Sequence, residues 1–68
     1  MKDYQKRVKK EKTELDKKIG KLNDFLDNES FKKLDIDEQE RLRTQRTLMK
    51  SYSEVLADRI EAFKDDLK

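Results

Sequence analysis

The chain has no cysteine, no histidine and no proline, and only one glycine among its 68 residues. Each absence removes a class of protein. Without cysteine no disulfide can staple a small fold, and without cysteine or histidine there is no zinc site of the usual kind. The same gaps remove the commonest general base and the thiol nucleophile, and the serines and threonines have no neighbouring base pattern, so the chain is not expected to be an enzyme. With no proline and one glycine, the punctuation of strands and turns is missing, which points to long helices. Apolar runs are also short: only 32% of the residues are hydrophobic and the mean hydropathy is −1.27. No membrane span is therefore expected, and no stretch reads as a signal peptide, so the expected location is the cytoplasm.

Charge is what the chain has in abundance, at 50% of residues. That level also suits disorder, but the Leu, Ile, Phe, Met and Tyr residues keep a helical period, which a disordered segment has no reason to do. A single copy of this size buries little apolar surface against its conformational entropy. With no disulfide or metal to help, a homo-oligomer is the expected remedy. The net charge of +2 is unevenly spread. Residues 1–21 hold nine Lys/Arg and four Asp/Glu, a net +5; residues 22–40 hold two and seven, a net −5; residues 41–68 hold seven and five, a net +2. Acidic and basic regions of two copies could meet, although charges of this kind are also ordinary solvated surface.

Spacing predicts a first helix over about 3–27, with Tyr4, Val8, Leu15, Ile19, Leu22, Phe25 and Leu26 on its apolar side. Gly20 inside it costs about 1 kcal/mol relative to alanine, and reads either as a close backbone approach or as a tolerated weak spot. The sequence Asp27-Asn28-Glu29-Ser30 is a break. Ser30 is expected to cap a short turn that carries Phe31, a plug for the end of a helical hairpin. A second helix is expected over about 36–67, capped by Asp35 with Glu38 reaching back. Its length is about 30 residues, roughly 45 Å. The whole is read as one all-α domain, an antiparallel helical hairpin with its turn at 28–35, assembling into a helical-bundle homo-oligomer.

The second helix has an unusual heptad pattern. Leu42, Met49, Leu56 and Phe63 fall on one core position, and the other core position then reads Gln45, Tyr52 and Arg59. Polar groups on a buried stripe need partners there, or a ligand. A further apolar line, Leu48, Val55 and Ala62, runs beside the seam and exceeds what one hairpin partner needs. Basic and aromatic groups cluster along the same helix as Arg43, Arg46, Lys50 and Tyr52, while Tyr4 and Arg7 share the first turn of the other. Arginine offers forked donors to phosphate, and tyrosine offers a stacking face to a base. Tyr4 and Tyr52 equally fit the edge of a core, and Arg41, Arg43 and the distal lysines equally fit solvated positions. Asp35, Asp37 and Glu38 lack the glycine and closing glutamate of a calcium loop, and there is no phosphate-binding glycine loop. No cofactor is expected, and neither is specific DNA binding, because acids interrupt every basic run.

The segment Lys21-Leu22 to Phe25, Phe31 to Leu34, Gln39, Gln45, Met49, Tyr52, Val55-Leu56 and Arg59-Ile60 forms a pattern over about 40 of the 68 residues. It resembles a family of small proteins encoded by crAss-like and other tailed phages, and Tyr4 and Arg7 resemble that family's opening. The layout is similar to phage anti-defence sponges, small helical oligomers that sequester cyclic nucleotide signals of bacterial systems such as CBASS or Thoeris. The resemblance implies a tetramer or similar assembly with pockets between subunits for a cyclic dinucleotide such as 3′,3′-cGAMP. It carries over to Tyr4, Arg7, Gln45, Met49, Tyr52 and Arg59, and charge adds Arg43, Arg46 and Lys50. Asp35-Ile36 departs from a Ser-Pro start in the relatives, which affects the cap alone. The rival readings are a helical module that inhibits a host protein, and a structural or nucleic-acid-associated oligomer.

Overall fold

The computed structural model describes residues 2–64 and is helical throughout its length apart from the short connections. Helix α1 spans Asp3–Leu26, a single-turn α2 spans Glu29–Lys32, and α3 spans Ile36–Ala62, with Phe63 and Lys64 in a tighter final turn. The expectation that the second helix continues to 67 concerns residues beyond those described. The two long helices pack antiparallel: the Tyr4 ring meets Phe63 edge-on at 5.7 Å at the open end, and Lys12 reaches Ser53 midway. The result is a rod of 52 × 14 × 14 Å.

Local chemistry explains where the helices stop. The first helix ends at Leu26, and the chain re-enters helix at Glu29 because the Asn28 side chain accepts from the Ser30 amide at 2.9 Å. Asn28, and not Ser30, is therefore the cap of the turn. Asp35 caps α3 as expected, but its carboxylate takes the Asp37 amide at 3.2 Å, while Glu38 turns outward to Arg41 at 2.8 Å instead of closing a capping box. Gln39 secures the connection by donating to the Leu34 carbonyl at 2.9 Å and the Lys32 carbonyl at 3.3 Å, both left over at the end of α2. Phe31 plugs the closed end. It is 4% exposed, packs edge-on against Phe25 at 6.1 Å, and lies under the Arg43 guanidinium at 5.2 Å.

The seam between α1 and α3 follows intervals of three and four on both helices. Val8, Leu15 and Leu56 are its buried centre, with Ile19, Met49, Ile60 and Phe63 packed around them. Leu42, Met49, Leu56 and Phe63 hold one core position, as the heptads predict. The other position differs from the expectation by one residue: it is taken by Arg46, Ser53 and Ile60, which are half-buried, while Gln45, Tyr52 and Arg59 face solvent. The shift has a polar cause. Ser53 Oγ donates to Asp16 Oδ1 at 2.6 Å and accepts from Lys12 Nζ at 3.1 Å, and Lys12 also pairs with Asp16 at 2.7 Å. On α1 the same rotation buries Gln5, whose side-chain oxygen accepts from the Lys2 amide at 3.0 Å, and leaves Tyr4 at the rim. Gly20 faces outward, and a Cβ there would meet nothing within 4 Å, so no close approach within the chain requires it.

Candidate binding face

The nine residues proposed for ligand binding divide into groups along the rod. Tyr4 and Arg7 lie at the open end, where Tyr4 borders Phe63. Arg43 lies at the closed end, held between Phe31 and Glu40, whose carboxylate it meets at 2.9 Å. Arg46 and Met49 are half-buried in the seam. Lys50 is exposed on α3. Gln45, Tyr52 and Arg59 fall on one line along the outer side of α3, about 10 Å apart at seven-residue steps. One protomer thus aligns the last three along α3, with Arg43 two residues before Gln45 at the closed end and Tyr4 against Phe63, one turn beyond Arg59, at the open end.

Between Gln45, Tyr52 and Arg59 stand Leu48 and Val55, and the five form a continuous outer stripe at intervals of three and four. Leu48 is 65% exposed, Val55 54% and Tyr52 44%. The Gln45 amide is engaged only weakly, donating to the Met49 sulfur at 3.8 Å. No charged residue interrupts the stripe from Gln45 to Val55. The described residues enclose no cavity. Among them no group of three His, Cys, Asp or Glu side chains could hold a metal ion, and no helix is long and apolar enough to cross a membrane.

The polar cluster of Lys12, Asp16 and Ser53 is the feature that sequence reasoning missed. The Lys12 ammonium, followed by the Ser53 hydroxyl, holds the Asp16 carboxyl below the usual carboxylate range, against a smaller opposing effect of burial. The cluster ties Lys12 and Asp16 of α1 to Ser53 of α3 and acts as a register pin. The only signal of it in the sequence is a Lys-x-x-x-Asp spacing, which most helices carry as surface.

Comparison with known proteins places the chain in a family. An uncharacterised 7.5 kDa protein encoded in the denB-rIIB intergenic region of Enterobacteria phage T4 is 46% identical over 61 residues, covering 90% of this chain and 95% of that protein. No solved structure matches the chain. Residues 2–62, which take in both long helices and the turn between them, match the Sequestin family, and the chain belongs to that family of small phage proteins.

Proposed function

We propose that this chain is a phage anti-defence sponge of the host cytoplasm, which binds a cyclic oligonucleotide immune signal such as 3′,3′-cGAMP and withholds it without cleaving it. The family's name speaks of sequestration. The observation that carries the reading is the outer stripe of α3, where Gln45, Tyr52 and Arg59 alternate with exposed apolar side chains, while the described residues enclose no pocket of their own. A ligand of two bases and two phosphates needs flat stacking faces and cations beside them. Tyr52 supplies the face, Arg59 the fork for a phosphate and Gln45 a donor and acceptor for a base edge. Enclosure comes from further copies, in a tetramer, with Tyr4, Arg7, Arg43, Arg46 and Lys50 of neighbouring chains at the margins. Withholding requires only affinity and abundance, since free signal falls as bound signal rises.

Calorimetric titration of the purified chain with 3′,3′-cGAMP and a panel of cyclic oligonucleotides tests this. The expected result is saturable binding of one nucleotide, recovered chemically intact, and weakened at least tenfold by Tyr52→Ala or Arg59→Ala, about 1.4 kcal/mol. No heat across the panel defeats the reading. The exposure of Leu48 and Val55 favours a second one, a helical module docked on a host protein. It calls for loss of function in Leu48→Ala and Val55→Ala with Arg59→Ala silent.

A further inference from the structure

Helix α1 buries one side against α3 and turns the other outward, and the outward side is basic. Val8, Leu15 and Ile19 mark the seam. At about 100° per residue, Lys6, Lys9, Lys10, Lys17 and Lys21 fall within an arc of about 120° on the far side, together with Thr13 and Gly20. All seven are exposed, and among the described residues none of the five lysines makes an ion pair.

Along the sequence Glu11, Glu14 and Asp16 interrupt these lysines, and the helix removes the interruption. Asp16 is turned toward α3, where Lys12 and Ser53 hold it. Glu11 and Glu14 fall beyond the edge of the arc, on the flank that carries Arg7 and Lys18. Asp3 and Asp24 lie past its two ends. From Lys6 to Lys21 the face therefore presents five cations and no acid, over about 22 Å of helix.

The chemistry of the face selects its occupant. It has no apolar side chain to enter a bilayer, as a membrane-surface helix requires. It has no aromatic ring on which the bases of a single strand would stack. Its one hydroxyl, on Thr13, is spent on the Lys9 carbonyl at 3.0 Å. What remains is a row of point charges, the counterpart of a regular row of phosphates, and phosphates are densest along a duplex. Gly20 suits the same occupant, because open space stands where its Cβ would be and a phosphate backbone can come close to the helix there. The acidic turn of another copy suits the face less well. Glu38 and Glu40 of that turn already pair with Arg41 and Arg43, and an end-to-side contact between copies does not close.

We propose that the outer face of α1 binds the phosphodiester backbone of double-stranded nucleic acid without reading its sequence. The outer stripe of α3 lies on the other helix, so one chain can hold a duplex and a small ligand together. The contact does not depend on the sequestration reading.

Fluorescence anisotropy of a labelled DNA duplex, titrated with the full chain, tests this. Duplexes of unrelated sequence should bind alike, and affinity should fall with salt at a log–log slope of about −4.5 when all five lysines neutralise phosphates. Lys10→Gln/Lys17→Gln should reduce that slope by about two and weaken binding about tenfold at low salt. Lys32→Gln/Lys33→Gln, which removes the same charge from exposed positions at the turn, should leave the slope unchanged. The two double variants have equal net charge, so an equal loss in both overturns the proposal. No binding at low salt also overturns it, as does tighter binding to poly-glutamate or to vesicles of anionic lipid than to the duplex. A fall in the mass of Lys10→Gln/Lys17→Gln by light scattering, without nucleic acid, overturns it too, by marking the face as a contact between copies. The same variant should bind cyclic nucleotide as the parent does, so a failure here and a failure of the sequestration reading are measured separately.

Discussion

Two leucines on the same helix, Leu48 and Leu56, have opposite surroundings. Leu56 has no exposed surface and Leu48 is 65% exposed. Truncating a buried leucine removes transfer energy and leaves a cavity, so Leu56→Ala should cost about 2–5 kcal/mol. In a domain of this size that is a fall in melting temperature of about 4–8 °C for each kcal/mol, read by circular dichroism. Leu48→Ala should stay within about 0.5 kcal/mol in dilute solution, since it removes nothing from the hairpin. Asp16 adds a dependence on pH. Its carboxyl is held low in the folded chain by Lys12 and Ser53, so the native state binds this proton more weakly than the unfolded state does. The stabilisation is complete above the ordinary carboxylate range and is lost as the pH falls through the lowered value. Chemical denaturation across the acid limb should show a shallower loss of stability in Asp16→Asn than in the parent.

Among the helices, α1 has one conspicuous weakness. Gly20 lies in its interior, is exposed, and has open space where a Cβ would stand. Gly20→Ala should stabilise the hairpin by about 1 kcal/mol, seen as a raised urea midpoint at unchanged slope. A loss of stability there would place the glycine at a contact with another copy. The helices themselves were legible from the lack of proline and the spacing of Val8, Leu15, Leu42, Met49 and Leu56. Their rotation was legible only in half. On α3 the positions 45, 52, 59 and 46, 53, 60 flank the apolar line symmetrically, and both sets contain polar residues. Periodicity ranks them equally, and the choice is made across the seam, by Lys12 and Asp16 claiming Ser53. The turn shows the same limit: Asn28 and Ser30 are both good caps, and only backbone geometry selects the first. For the outer stripe, spacing put Gln45, Tyr52 and Arg59 on the buried seam and Leu48 and Val55 on a separate line beside it, and that the five share one exposed face was not legible.

At the scale of the whole molecule, the proposed tetramer would tie stability to association. If copies assemble as proposed, the apparent melting temperature should rise with protein concentration, and so should the average mass seen by light scattering. A melting temperature constant from micromolar to millimolar chain would disagree with that assembly. The closed end has a consequence of its own. Only residues 27–35 separate the two long helices, so bringing them together demands little loop-closure entropy. Helical folds dominated by such near-neighbour contacts form in microseconds to milliseconds, whereas a ribosome adds about 5–20 residues each second. Each hairpin should therefore zip in far less time than its synthesis takes, which leaves the meeting of copies as the slower, concentration-dependent step toward working protein.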